Sequence, residues 1–216
     1  MNIFISRNID QDSPIRAVIG DNNIVGQALI SFSSIPFDPP ECDWIFFYSK
    51  NGVKYFFEQP GMAIRSYNWA CMSKGTAEEL AQYVMDISFI GSGNPMKVAA
   101  KFSDSLAVNE RVCFVRAKNS LDSIKKLIDD ERHFSIPVYD NQPINEIPND
   151  PFDVLIFTSP LNVKTYFNYR PYEGQKVIVI GETTANKMHS FGFDVEVMIA
   201  EEPSEKGIAH KLAEIL

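Results

Sequence analysis

The sequence lacks the short motifs that mark the commonest cofactor and nucleophile chemistries. It contains no G-x-G-x-x-G after an apolar run, no Walker-type phosphate loop and no G-x-S-x-G elbow. Its three histidines, His133, His189 and His210, have no metal-ligand spacing with one another or with a cysteine. The pattern therefore argues against a nucleotide-binding loop, a serine hydrolase and a metal centre.

Cysteines and long apolar runs are also scarce. The three cysteines, Cys42, Cys71 and Cys113, show no Cys-x-x-Cys spacing, and their odd number argues against a disulfide framework. No segment reaches the unbroken apolar length of a membrane span. The N-terminal residues lack the basic region and cleavage pattern of a signal peptide. We therefore expect a cytoplasmic protein that does not enter a membrane.

Acidic residues outnumber basic ones: the chain has 28 Asp and Glu but only 20 Lys and Arg, which gives a net charge of -8. A general nucleic-acid binder depends on neutralising phosphates, so we expect no nucleic-acid partner. The charge also disfavours an anionic small molecule, unless positive groups are gathered locally or backbone amides at helix N-termini hold the ligand.

What the chain does contain is a repeat of fifteen residues. DWIFFYSKNGVKYFF begins at Asp43, and DVLIFTSPLNVKTYF begins at Asp153. Each copy has a short apolar run of strand formers, a polar step and then apolar residues at helical spacing. Each copy therefore predicts a buried strand, a tight polar turn and a helix. The identical pairs are Asp43/Asp153, Phe47/Phe157, Ser49/Ser159, Val53/Val163, Lys54/Lys164 and Phe57/Phe167.

The repeat extends in both directions from this stretch. Downstream, Trp69–Leu80 resembles Ile178–Met188, and both predict a strand, a polar turn and a helix. Upstream, Ile3–Arg7 resembles Val112–Arg116, and in both an apolar strand ends in arginine. The pattern predicts two tandem halves that join near Asn109. Short strands alternating with helices predict parallel α/β sheets, with ligands at the C-terminal ends of the strands.

The segments between the repeated units predict further elements and two connections. A single strand is expected over 24–32, and an amphipathic helix over Ser120–Asp130. Prolines make Ser33–Pro40 one connection, and a second one is expected at Asp140–Pro143 with Pro148–Pro151. Together with the repeat, a length of 216 residues favours two domains.

Polar residues cluster on the predicted strand-to-helix turns. Each of them could cap its helix. Alternatively, the hydroxyls and the free N–H groups of the turns could bind carboxylates or phosphates without a basic side chain. The residues alone leave both interpretations open. The candidates are Ser49, Lys50, Asn51, Ser73, Thr76, Thr158, Ser159, Leu161, Thr183, Thr184 and Ser204.

Three further side chains lie at predicted strand ends. Arg7 and Arg116 end equivalent strands, where each guanidinium could bind a carboxylate through two N–H groups or pair with a neighbouring acid. Tyr139 ends the strand beside the second connection, a place where tyrosine usually packs. Composition alone does not select Tyr139.

With these motifs in view, the chain resembles the uroporphyrinogen-III synthase family over essentially its full length. The family patterns DxxxFTSxxxV, IGxxTAxxxxxxG and AExPxxxGL occur in this order, and Val138-Tyr139 matches the Val-Tyr that ends the linker strand. In the first half, Tyr48 replaces the usual Thr, and Ser73-Lys74-Gly75 replaces the usual Gly-led turn. The residues that match the three patterns are Asp153, Phe157, Thr158, Ser159 and Val163; Ile180, Gly181, Thr184, Ala185 and Gly192; and Ala200, Glu201, Pro203, Gly207 and Ile208.

The resemblance implies an architecture. The implied architecture consists of two flavodoxin-like, parallel-sheet α/β domains joined by a two-stranded linker, with the active site in the cleft between them. One domain would be discontinuous and comprise 1–32 plus 142–216, and the other would be 36–137. The linkers would be 33–35 and 138–141.

The resemblance also implies an activity. Such a protein is a lyase of tetrapyrrole and haem biosynthesis that cyclises hydroxymethylbilane to uroporphyrinogen III, with loss of water and inversion of ring D. It uses no cofactor or metal, and we expect a monomer. A non-catalytic or regulatory two-domain binder of a polyanionic small molecule is the alternative, and an unrelated flavodoxin-like module is a third possibility.

Site residues follow from the same resemblance. Tyr139 is the hypothesised catalytic group, which assists departure of the substrate hydroxyl by a hydrogen bond or by proton donation. The expected substrate-binding residues are Arg7, Ser49, Lys50, Asn51, Thr76, Arg116, Thr158, Ser159, Pro160, Thr183, Thr184 and Ser204.

Overall fold

The structure is a computed structural model that describes residues 1–20, 22–38, 40–60, 66–92, 94–120, 128 and 130–216. The chain forms two compact units. The first unit combines Met1–Ser31 with Gln142–Leu216, and the second comprises Phe32–Asn141. The first unit is therefore assembled from both ends of the chain.

Eleven strands and seven α-helices lie within the described ranges. The strands are β1 (Asn2–Ile5), β2 (Asn23–Gly26), β3 (Ile30–Ser34), β4 (Trp44–Phe47), β5 (Asn68–Cys71), β6 (Phe89–Ile90), β7 (Val112–Ala117), β8 (His133–Pro143), β9 (Val154–Phe157), β10 (Lys176–Val179) and β11 (Val197–Ile199). The helices are α1 (Pro14–Val18), α2 (Lys50–Phe57), α3 (Lys74–Leu80), α4 (Pro95–Asp104), α5 (Pro160–Tyr169), α6 (Glu182–His189) and α7 (Glu205–Ala213).

Each unit is built on one sheet, and the two sheets have corresponding strand orders. The first is β11-β10-β9-β1-β2, and the second is β3-β8-β7-β4-β5-β6. With β3 set aside, β8, β7, β4, β5 and β6 take the places of β2, β1, β9, β10 and β11. The strands of the first sheet are all parallel, as are β4 to β8 in the second. The predicted parallel α/β fold is thereby confirmed.

The pairing registers correspond as well as the strand orders. In the first sheet Val154 of β9 pairs with Ile3 of β1. In the second sheet the equivalent Trp44 of β4 pairs with Val112 of β7. The repeat found in the sequence is therefore also a repeat of strand pairing.

The two units do not coincide with the two tandem halves of the sequence. β1 lies in the first half of the chain but pairs with β9 in the second half. Conversely, β7 lies in the second half but pairs with β4 in the first. Each unit therefore takes strands from both halves, and the chain passes between the units within β3 and within β8.

The central strands are buried because helices cover both faces of each sheet. Every residue of β4 and of β9 is buried. Successive side chains point to opposite faces of a strand. In the first unit, Ile3 and Ile5 therefore join a cluster with Ile208 of α7, whereas Phe4 packs with Tyr166 of α5.

Two predicted elements differ from the structure, and a third lies largely outside it. The strand expected over 24–32 is divided into β2 and β3, because the Ala28 N–H donates to Asn8 Oδ1 instead of a neighbouring strand. The connection expected at Asp140–Pro143 is the continuation of β8, whose pairing with β7 ends at Tyr139, so the missing N–H of Pro143 removes no hydrogen bond from that pair. Most of the helix expected at Ser120–Asp130 falls outside the described residues.

Candidate active site

In the first unit the candidate residues lie along one edge of the sheet. Because β1, β9, β10 and β11 are parallel, their C-terminal ends meet at the same edge. Ser6 and Arg7 follow β1, and Thr158–Pro160 follow β9. Gly181–Thr184 follow β10, and Ser204 follows β11. The fold thus gathers polar turns that are far apart in the sequence.

Ser6, Thr158 and Asn162 form a buried hydrogen-bond network at this edge. The Asn162 side-chain amide donates to the Ser6 carbonyl at 3.1 Å and to Thr158 Oγ1 at 3.0 Å. The Thr158 N–H in turn donates to Ser6 Oγ at 3.0 Å. Because Thr158 Oγ1 already accepts from Asn162, its own proton is free for Ser6 Oγ, 3.4 Å away, or for a ligand oxygen. The network therefore holds the Thr158 hydroxyl at this edge of the sheet, within reach of Ser6 and of a ligand.

Two serines cap helices at the same edge. Ser159 Oγ accepts from the Asn162 N–H at 3.2 Å at the start of α5. Ser204 Oγ accepts from the Gly207 N–H at 3.1 Å at the start of α7, and it donates to Glu202 Oε1 at 2.7 Å. The capping interpretation of both serines is confirmed. A capping hydroxyl still has lone pairs and lies beside the remaining N–H groups of its helix, so capping leaves ligand binding possible.

The N-terminus of α6 differs from these two. Its cap is Gly181, which provides no side-chain hydrogen bond to the helix. Thr183 in the first turn is exposed, whereas Thr184 is buried. Because no side chain occupies the first N–H groups of α6, they are suited to an anion.

Arg7 is paired with an acid in the first unit. Its Nη2 lies 3.2 Å from Oε1 of Glu205, the first residue of α7. Glu205 also accepts from Ser13 Oγ at 2.7 Å. The structure thus shows the ion-pair interpretation of Arg7, and a substrate carboxylate would have to compete with Glu205 for the guanidinium. The Arg7 side chain is 46% exposed, so the pair is weakened by solvent.

In the second unit Tyr139 meets a turn residue from the repeat. Tyr139 Oη lies 3.2 Å from Ser49 Oγ. Ser49 also caps α2, because its Oγ accepts from the Gly52 N–H at 3.1 Å. Since Ser49 Oγ already accepts one hydrogen bond, its proton can be donated to Tyr139 Oη. That arrangement leaves the phenol proton of Tyr139 free for another acceptor.

An irregularity in β8 orients Tyr139. The register pairs Arg116 with Pro137 but Ala117 with Tyr139, so Val138 is the extra residue of a β-bulge. Both Val138 and Tyr139 are buried. Burial raises the pKa of Tyr139 above the ordinary value of 10, and the hydrogen bond with the neighbouring serine offsets part of this effect. The phenol is therefore protonated at neutral pH.

Lys50 brings a positive charge to the neighbouring turn. Its Nζ lies 3.9 Å from the position that a Cβ on Gly75 would take, in the first turn of α3. Ser73 caps α3 by accepting from the Thr76 N–H at 3.4 Å, and Thr76 is buried. An ammonium group beside helix N–H groups concentrates positive potential, which attracts an anion to a protein of net charge -8.

A comparison with protein-family models gives a match over residues 27–210, to the model described as uroporphyrinogen-III synthase HemD. The match covers most of the chain. The chain belongs to the uroporphyrinogen-III synthase family. Members of this family are cyclising lyases of tetrapyrrole biosynthesis, and their substrate is hydroxymethylbilane. A comparison with curated protein sequences gives no match.

Solved structures of uroporphyrinogen-III synthases share the fold of this chain. The enzyme from Helicobacter pylori is 20% identical, with a TM-score of 0.71 over 99% of this chain and 98% of that one. A mutant of the enzyme from Thermus thermophilus is 12% identical, with a TM-score of 0.63 over 99% of each chain. The likeness therefore extends over both units.

Several residues expected at the site of a uroporphyrinogen-III synthase lie in the first turns of helices or contact one another. It brings Ser49 to Tyr139, and it places Thr158 beside the cap of α5. Lys50 and Asn51 occupy the first turn of α2, and Pro160 the first turn of α5. Arg116 donates from Nη1 to the backbone carbonyls of the next two residues, at 3.2 and 3.0 Å.

Sequence reasoning did not select Ser6 or Asn162, which complete the Thr158 network. A signal for Asn162 was present in the repeat, because the equivalent position in the first copy is Gly52. The difference marks a place where one unit has a side-chain amide and the other has none. Ser6 could have been found as the polar residue that ends an otherwise apolar strand.

Within the described ranges, no group of three or more His, Cys, Asp and Glu side chains is placed to hold a metal ion. The longest α-helices there, α4 and α5, have ten residues, and none is long and apolar enough to span a membrane.

Proposed function

We propose that this protein catalyses the family reaction, closing hydroxymethylbilane to uroporphyrinogen III, and that Tyr139 assists departure of the substrate hydroxyl. Family membership over residues 27–210 supports the reaction. The observation that carries the role of Tyr139 is the 3.2 Å contact between its Oη and Ser49 Oγ, at the start of α2. This contact places a protonated phenol at the C-terminal edge of the sheet.

The donor groups suit a substrate with many carboxylates. Ser49, Lys50, Asn51, Thr76 and Arg116 are the proposed contacts in the second unit. A ligand with many carboxylates needs many N–H and hydroxyl donors over a wide surface. Helix N-termini supply these donors without a large excess of lysine and arginine. The proposed contacts in the first unit are Arg7, Thr158, Ser159, Pro160, Thr183, Thr184 and Ser204.

The hydrogen-bond directions suit the departure of water. In the direction that this role requires, the Ser49 hydroxyl donates to Tyr139 Oη, 3.2 Å away, and the Tyr139 phenol donates to the departing oxygen of the substrate. Because burial disfavours the phenolate, a strong hydrogen bond is favoured over complete loss of the Tyr139 proton. Tyr139 thus stabilises charge as it develops on the leaving oxygen.

Selectivity between product isomers requires little energy. A hundredfold preference for ring inversion corresponds to about 2.7 kcal/mol of differential transition-state stabilisation. Restraint of the substrate by many weak contacts can supply a difference of this size. The proposed site therefore needs no single strong catalyst to decide the isomer.

The direct test supplies hydroxymethylbilane, oxidises the products and separates isomers I and III. We expect mainly isomer III from the wild-type protein. The variant Tyr139→Phe keeps the ring and removes the hydroxyl, and we expect at least a tenfold lower kcat, about 1.4 kcal/mol. Tyr83→Phe, in the same unit, is the control. Substrate binding without isomer III would refute the activity, and an unchanged Tyr139→Phe enzyme would refute the role of Tyr139.

We further propose that the protein acts as a monomer in the cytoplasm, without a nucleic-acid partner. The scarcity of basic residues supports the last point, since phosphate neutralisation dominates nucleic-acid affinity. Light scattering during size-exclusion chromatography measures the mass directly, and a dimer mass at working concentration would contradict the proposal.

A further inference from the structure

Tyr55 contacts the proposed catalytic residue through its ring. It lies in α2, the helix that Ser49 caps, and is half-buried. The Tyr55 and Tyr139 rings are stacked, with their centroids 5.4 Å apart and their planes inclined by 20°. Helix α2 and its cap therefore make two contacts with Tyr139: the Ser49 hydroxyl lies beside the phenol oxygen, and the Tyr55 ring stacks on the phenol ring.

Phe32 adds a second aromatic contact to Tyr139. Its ring centroid lies 6.0 Å from that of Tyr139, with the planes inclined by 53°. Phe32 lies in β3 and is 46% exposed, whereas Tyr139 is only 7% exposed. An exposed ring on an edge strand is a weaker restraint than a stacked ring on a helix. Tyr55 is therefore the better candidate for holding Tyr139 in place.

A single hydrogen bond does not fix a tyrosine hydroxyl. Rotation about χ1 and χ2 of Tyr139 moves Oη through an arc, and the χ2 preference of an aromatic ring is broad. Stacking restricts χ2, because rotation of one ring separates it from the other. In catalysis, a displacement of about 1 Å can cost a hundredfold in rate. A stacked neighbour is thus the kind of group that sets the position of Oη.

Tyr55 also lines a groove. A groove of about 450 Å³ is lined by Ser34, Pro36, Tyr55, Glu58, Gln59 and Pro60. Tyr55 belongs both to this lining and to the stack with Tyr139. Shortening its side chain would therefore extend the groove to the ring of Tyr139 and admit water beside it.

We propose that Tyr55 is a positioning residue for the reaction, holding the Tyr139 hydroxyl on Ser49 and shielding it from water. The proposal rests on the catalytic role proposed for Tyr139. It is a property of the second unit, because the residue equivalent to Tyr55 in the other copy of the repeat is Thr165.

The experiment compares three single variants by kcat, KM and isomer ratio. Tyr55→Leu removes the ring, and we expect about a tenfold lower kcat with KM changed less than twofold. Tyr55→Phe keeps the ring and should restore most of the activity. Tyr83→Leu is the matched control, since Tyr83 stacks on Phe57 with centroids 4.5 Å apart in the same core cluster.

A double variant separates positioning from general destabilisation. If Tyr55 acts through Tyr139, then adding Tyr55→Leu to Tyr139→Phe should lower kcat by less than twofold further. Independent multiplication of the two effects would overturn the proposal, as would equal losses of kcat in Tyr55→Leu and Tyr83→Leu. An unchanged kcat in Tyr139→Phe alone would instead refute the role of Tyr139, whatever the Tyr55 variants show.

Discussion

Replacing Ser49 by alanine tests the contact on which the role of Tyr139 depends. Ser49 Oγ makes two hydrogen bonds, at 3.1 Å from the Gly52 N–H and at 3.2 Å to Tyr139 Oη. Loss of a serine cap costs about 1 kcal/mol, and loss of a hydrogen bond between part-buried hydroxyls costs about another 1 kcal/mol. We therefore expect Ser49→Ala to lower the free energy of unfolding by about 2 kcal/mol.

The repeat provides a matched control for this variant. Ser159 is the equivalent cap in the other copy, and its Oγ accepts from the Asn162 N–H at 3.2 Å. Ser159→Ala loses the cap without losing a tyrosine contact, so we expect a cost of about 1 kcal/mol. The difference between the two variants isolates the hydrogen bond of Ser49 with Tyr139.

The assay is urea unfolding followed by circular dichroism, applied to a double-mutant cycle. The four proteins are the wild type, Ser49→Ala, Tyr139→Phe and the double variant. We expect a coupling free energy of about 0.5–1.5 kcal/mol between the two positions. In the activity assay, Ser49→Ala should also lower kcat, because Tyr139 loses the hydrogen bond that orients its hydroxyl. A coupling of zero, together with equal costs for Ser49→Ala and Ser159→Ala, would refute the reasoning.

Three other predictions concern ionisation and buried polar groups. Because burial raises the pKa of Tyr139, its stabilising contribution is complete well below pH 10 and is lost as pH rises through the raised value. A phenolate difference spectrum between wild type and Tyr139→Phe with its titration midpoint at or below pH 10 would contradict this. Burial raises the pKa of Cys71 to about 11 and also raises that of Cys113, whereas a hydrogen bond from Cys113 lowers that of Cys42. Mass spectrometry after mild alkylation should therefore show Cys42 modified first, and modification of Cys71 at the same rate would contradict the assignment. Asn162→Leu removes the donor to the Ser6 carbonyl and to Thr158 Oγ1, so we expect the free energy of unfolding, measured in urea, to fall by about 1–3 kcal/mol. The control Asn186→Leu changes an exposed residue and should lower it by no more than about 0.5 kcal/mol.

The candidate site could be predicted from the sequence only as far as its local parts. Ser49, Ser73, Ser159 and Ser204 each precede a helix, and all four cap it as the local pattern suggests. A cap depends on residues within one turn, so a short stretch of sequence specifies it. The contact of Ser49 with Tyr139 joins residues ninety positions apart. No local pattern encodes such a contact.

The sequence by itself determined the alternation of strands and helices, the capped turns and the repeat. Each of these depends on the spacing of apolar residues and on residues that are close together in the sequence. Tertiary structure decided which strands pair. The equivalent strands β1 and β7 have the same local character, yet β1 pairs with β9 and β7 with β4. It also decided the bulge at Val138, which places Tyr139 in the core beside Ser49 and Tyr55. These are properties of packing between distant segments, where the free energy depends on both partners at once.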